Sequence, residues 1–225
     1  YLDADRYLVH ATEISVADLK NGLNETINRI LYSDHDHTRI DPGLEFTTLN
    51  AVIKRSTQEG NMVAISDITS LERTFDPGHY GYFAHTKRYL VKQLDLEKKE
   101  IIREFSRPYE PVPFIEEEPE RDIDRELAEQ VKRKYFKDIQ ALAMHGEDLL
   151  VFTSTLDPDR GVLVDIFSPE GQFQGSFYLD LPGLKRPDDM DDPLADIVHR
   201  VVMNAEILRI LVERLHLDAA FGVVD

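Results

Sequence analysis

The densest group of ligand atoms in the chain is Asp34-His35-Asp36-His37. Alternating imidazole and carboxylate is a donor set suited to a divalent metal such as calcium or zinc. On a strand, His35 and His37 would share a face, because side chains alternate. On a loop they could converge. The plainer reading is a solvated loop, because segment 33–43 (SDHDHTRIDPG) is polar and ends in Pro42 and Gly43. No further ligand stands at a fixed spacing from the four. A second acidic group, Asp188, Asp189, Asp191 and Asp192, could hold calcium. It lacks the ligand order, glycine and terminal Glu of an EF-hand loop, and a solvated turn is the simpler account.

Two other groups could carry binding. In Arg107-Pro108-Tyr109-Glu110-Pro111-Val112-Pro113, the prolines fix an extended, non-helical path. Arg107 and Tyr109 would then be held rigidly, as suits a protein partner or a small-molecule ligand. The plainer role is a linker that covers a sheet edge. His79, Tyr80, Tyr82 and His85 gather imidazoles and phenols around one loop. A histidine there could serve as a base, but no nucleophile stands beside it. Arg107, Tyr109, His79 and Tyr80 are therefore the candidate ligand-binding residues, and no catalytic residue is assigned.

Several chemistries are absent from the sequence. It has no G-x-S-x-G elbow, no P-loop and no dinucleotide fingerprint. Without cysteine it has no disulfide, thiolate metal site or Cys nucleophile. The net charge of −17, from 43 acidic and 26 basic residues, argues against binding to a nucleic-acid backbone. It also argues against an anionic membrane surface. No apolar run is long enough to span a bilayer as a helix. A chain of 225 residues can bury a sizeable core.

The elements that must position these groups read as strands. Phe136–Asp180 contains β-type runs separated by turn signals at 145–148, 157–161 and 169–171. Residues 148–154 are rich in Leu, Val, Phe and Thr. In 162–167, Val162, Val164 and Ile166 share one face, and Leu163, Asp165 and Phe167 the other. Both faces are mostly apolar, as for a sheet packed on both sides. This predicts a four-stranded antiparallel meander. Earlier in the chain we read strands in RYLVHATEI (within 5–16), Ile27–Tyr32, Phe46–Lys54, Met62–Ile65, Tyr82–Leu94 and Glu100–Phe105. Loops are expected at 33–43 and 66–81. The first two runs read as the middle of one sheet, and the runs from Phe46 to Phe105 as a second.

One helix is expected at 119–135. Pro119 suits its first turn, and Ile123, Leu127, Val131 and Tyr135 form an apolar stripe. Residues 195–217 have helix-forming composition, but repeat logic divides them into strands Ile197–Met203 and Ile207–Glu213, with a third at Phe221–Val224.

The run Asp165-Ile166-Phe167, the turn Ser168 to Gly171, and then Phe173 resemble a blade of the six-bladed β-propellers of the NHL and TolB-like type. Leu94-Asp95, a charged turn and IIREF repeat the pattern. The resemblance implies an all-β fold of four-stranded antiparallel blades, in one propeller domain over 1–225 with one inserted helix. The expected ring is partial: its N-terminal blades are missing, and upstream residues or another chain would complete it. Arg107 to Pro113 is similar to a segment that follows the outer strand in such propellers. The family likeness implies an exported protein, periplasmic or secreted. The expected function is a non-enzymatic binding module for a protein or small-molecule ligand. The alternative is a metal-dependent hydrolase or lactonase using His35, His37 and channel acids. A structural subunit of a larger assembly is a third reading.

Overall fold

The computed structural model describes residues 6–13, 20, 22–34, 40–57, 60–76, 79–114, 134–157 and 159–179. These residues are all-β and form three four-stranded antiparallel sheets, each with its strands in chain order. The chain divides into two compact units, Tyr1–Ile139 and Gln140–Asp225.

The first unit holds two sheets. One is built from β1 (Arg6–Glu13), β2 (Gly22–Asp34), β3 (Ile40–Thr57) and β4 (Gly60–Asp67). Alternation along β2 and β3 turns Thr26, Asn28, Ile30 and Tyr32, and Phe46, Thr48 and Asn50, to the buried side. The polar members of this face bond to one another. Asn28 Nδ2 donates to Thr48 Oγ1 at 2.8 Å, and Asn50 Nδ2 to Thr26 Oγ1 at 2.5 Å. That satisfaction is what makes their burial tolerable. The β2–β3 register shifts between Ile30 and Tyr32. Gly43 lies opposite this irregularity, and a Cβ there would run into the Ile30 carbonyl oxygen.

The other sheet is built from β5 (Glu72–Phe75), β6 (Tyr80–Ala84), β7 (Val91–Asp95) and β8 (Glu100–Phe105). Ile30 and Phe46 of the first sheet form one apolar core with Leu71, Phe83, Leu94 and Leu96. At its centre Phe46 and Phe83 stack with ring centroids 5.0 Å apart. Lys99, in the β7–β8 turn, ties the sheets at their edge. Its Nζ is 3.3 Å from Asp41 and lies 4.6 Å from the centroid of the Tyr32 ring.

The second unit carries β9 (Ile139–His145), which begins one residue ahead of it, β10 (Asp148–Asp157), β11 (Gly161–Phe167) and β12 (Phe173–Leu179). Burial falls across the sheet, from an almost fully buried β9 to a largely exposed β12. Asp165 is wholly buried and accepts the Ser176 hydroxyl at 2.5 Å.

The β7–β8 and β11–β12 connections share one construction. Each pair of strands has a register shift just before its turn. Each turn opens on a side-chain acceptor: Asp95 Oδ1 for the Glu97 and Lys98 amides, and Ser168 Oγ for the Glu170 amide. Each contains a residue in the left-handed region, Lys99 (φ 59°) at the end of the first and Gly171 (φ 74°) one residue before the end of the second. This common construction is the structural counterpart of the repeated sequence pattern.

Several expectations are corrected. The loop expected at 66–81 contains β5, so the second sheet starts at Glu72 and not at Phe46. The strands from Arg6 to Asp67 form one four-stranded sheet, so β3 and β4 belong with the first two runs and not with the second sheet. The loop expected at 33–43 narrows to the connection between Asp34 and Ile40. Of the helix expected at 119–135, residues 119–133 lie outside the described residues, and its last residue, Tyr135, is paired antiparallel with Pro113 and is exposed. The strands expected at 195–217 and 221–224 lie outside the described residues.

Candidate binding site beside the second sheet

Tyr89 lies in the β6–β7 connection, where that connection meets the segment leaving β8. Its ring is 5.5 Å from that of Tyr109. The Arg107 guanidinium lies 5.3 Å from both ring centroids, close enough for cation–π attraction. Arg107 Nη1 also donates to the Pro108 carbonyl at 2.8 Å. Tyr89 is buried, while Arg107 and Tyr109 are partly exposed. Arg107 and Tyr109 thus share their surroundings with a third residue, Tyr89.

Tyr89 is itself held from far along the chain. Its amide donates to Asp138 Oδ2 at 2.8 Å, and the Asp138 amide donates to the Lys87 carbonyl at 2.9 Å. Burial pushes the Asp138 carboxyl above its ordinary value, against the Tyr89 hydrogen bond and the charge of Arg88. Beside it, Lys137 Nζ bonds Ser70 Oγ and Glu72 Oε1, each at 2.5 Å, and the Ser70 hydroxyl donates to Glu72 at 2.7 Å. This triangle fastens the segment before β9 to the start of β5. A few residues away the Phe114 amide bonds the Lys134 carbonyl and the Phe136 amide bonds the Val112 carbonyl, both at 3.0 Å. The chain leaving β8 and the chain entering β9 are therefore clipped together next to the Arg107 cluster.

His79 and Tyr80 do not join this group. His79 lies in the β5–β6 turn and Tyr80 opens β6, and both amides donate to Asp76 Oδ1, at 2.6 and 2.9 Å. The Leu96 amide donates to the His79 carbonyl at 2.9 Å, which sets this turn beside the β7–β8 turn. In an antiparallel meander that is the end opposite Arg107 and Tyr109. Tyr82 and His85 are separated from them as well. Tyr82 is the first member of a row running directly across β6, β7 and β8. Gln93 Nε2 donates to its hydroxyl at 3.1 Å, and Arg103 Nη1 donates to Gln93 Oε1 at 2.8 Å. Burial is the main cause that pushes the Tyr82 phenol up to about 12. It therefore stays protonated at neutral pH. His85 turns to the neighbouring sheet, its Nδ1 3.2 Å from the Thr47 carbonyl oxygen.

Of the expected metal group, Asp34 closes β2 opposite Arg6, while His35, Asp36 and His37 lie outside the described residues. So do Asp188, Asp189, Asp191 and Asp192. Among the described residues no cluster of three or more His, Asp or Glu could hold a metal ion, and no helix is long and apolar enough to cross a membrane. Tyr89 and Asp138 escaped the sequence reading because no local motif marks them. Their partners stand 20 and 49 residues away, Tyr109 from Tyr89 and Asp138 from Tyr89. Compared with protein-family models, with curated proteins and with solved structures, the chain has no match.

Proposed function

We propose that this chain is a binding module of the six-bladed β-propeller type, NHL or TolB-like, that takes a protein or small-molecule ligand without transforming it. The observation that carries the reading is the Tyr89–Arg107–Tyr109 cluster at one end of a four-stranded sheet. The partly exposed Arg107 guanidinium and Tyr109 ring, set by prolines against the buried Tyr89 ring that Asp138 anchors, make a pre-organised surface that loses little entropy on binding. Arginine and tyrosine are also the residue types that dominate binding energy at interfaces. The shared turn construction of two sheets supports the blade reading. Ring size and an exported location belong to the same proposal and rest on the family resemblance.

Thermal melts of the whole chain in EDTA, calcium and zinc separate this reading from a metal-dependent hydrolase. A ligand bound only by the folded state raises the melting temperature by mass action. The binding-module reading expects the melting temperature to be the same in all three. A large rise with metal, lost in the His35→Ala/His37→Ala variant, would overturn it in favour of the hydrolase.

A further inference from the structure

His85 stands just past β6, in the second sheet, and reaches β3 in the first. A carbonyl oxygen only accepts, so the 3.2 Å contact with Thr47 requires the proton on Nδ1. In the neutral ring this leaves Nε2 with a lone pair. Nε2 is buried and has no hydrogen-bond partner among the described residues. The imidazole also lies against Phe46, with centroids 5.2 Å apart, and Phe46 stacks on Phe83 of β6. One side chain thus joins the two sheets by a hydrogen bond and by the edge of their common aromatic core.

We propose that His85 is an acid-sensitive latch between the two sheets of the first unit, closed by the neutral imidazole and released by the imidazolium. A second proton would create a donor at Nε2 where no acceptor stands, and would put a full charge beside the apolar core. The charged groups facing the ring are Lys92 on β7 and Glu104 on β8, themselves 3.3 Å apart as an ion pair. Lys92 opposes the added proton and Glu104 favours it. From β3 the ring meets Phe46 and Thr47, neither of which titrates. Burial is the largest influence, and it holds the imidazole below its ordinary 6.5. The latch contributes its full stability above that ordinary value and loses it as pH falls towards the folded value.

The test compares thermal unfolding of the whole chain at pH 7.5, 6.5 and 5.5 for the wild type and His85→Gln. Glutamine can still donate to the Thr47 carbonyl but cannot titrate. The expected result is a smaller loss of melting temperature on acidification in the variant. Parallel pH profiles would overturn the proposal. Should the variant fail to fold, an NMR titration of the His85 ring in the wild type decides. The latch requires titration below the ordinary histidine value, with the Phe46 and Phe83 ring signals moving in step. Titration at or above that value, or without the aromatic shifts, would overturn it.

Discussion

Packing of the first two sheets rests on Phe46 and Phe83, and truncating them measures that packing. Phe83 is fully buried and Phe46 is 2% exposed. Replacing a buried Phe with Ala removes its transfer free energy and leaves a cavity, together about 3–5 kcal/mol. At roughly 2–4 °C per kcal/mol for a chain of this size, Phe83→Ala should lower the melting temperature by about 6–20 °C. Centroids 5.0 Å apart with planes inclined by 19° make a stacked pair. Such pairs contribute about 0.5–1.5 kcal/mol beyond burial. A double-mutant cycle on Phe46 and Phe83 by urea denaturation should therefore return a coupling near 1 kcal/mol. Ile53 is the control, because it belongs to a separate apolar cluster with Ala51 and Ile68. The Ile53→Ala and Phe83→Ala changes should add to within about 0.5 kcal/mol. Zero coupling for Phe46 and Phe83, with each single change costing its full amount, would refute face-to-face contact of the sheets.

Other changes probe the local devices. Gly43→Ala should destabilise by more than about 2 kcal/mol, because the new methyl group meets backbone at Ile30 and not a side chain that can yield; urea midpoints check this. Tyr82→Phe removes the acceptor of Gln93 Nε2 in a buried row and should cost about 1–3 kcal/mol. Asp138→Ala leaves the Tyr89 amide without its acceptor and should cost a similar amount, whereas Asp138→Asn keeps an acceptor oxygen. The Asp138 carboxyl is raised from 3.8 by burial, so its folded form favours the proton. Its contribution is most favourable below 3.8 and is lost as pH rises through the folded value. Asp138→Asn should therefore be at least as stable as the wild type at pH 7, with the advantage shrinking below pH 4, as read from melting temperatures across that range.

The second unit's sheet was the most legible part of the fold. Its turns are marked by Gly146, Gly161 and Gly171, all at positive φ, and its strands alternate or run apolar between them. β12 begins at Phe173, the aromatic residue that follows the Ser168 to Gly171 turn in the sequence pattern. The first sheet was harder to read because β2 and β3, at 13 and 18 residues, far exceed ordinary strand lengths. Asp41-Pro42-Gly43 inside β3 has the chemistry of a turn, and here it accommodates a register shift instead. β5 is only Glu72–Phe75, with alternating exposure and two charged residues. So short a strand is defined by its neighbour β6, not by its own sequence. The prolines drew attention to Arg107 and Tyr109, which lie against the Tyr89 ring. The partners that complete the cluster, Tyr89 and Asp138, come from tertiary pairing that no local pattern encodes. The same limit explains why His79, Tyr80, Tyr82 and His85, neighbours in sequence, are dispersed to a turn, a buried row and the adjoining sheet.

Recognition by the Arg107 cluster is tested most directly by a thermal-shift screen. The library would be small aromatic and acidic compounds and short proline-containing peptides, run against the wild type and the Arg107→Ala/Tyr109→Ala variant. A ligand at 100 times its Kd stabilises the folded state by about 2.7 kcal/mol, or roughly 5–11 °C for a chain of this size. The account predicts shifts of that order in the wild type that vanish in the variant while its own melting temperature stays close to that of the wild type. Ligands that stabilise both proteins equally would contradict it.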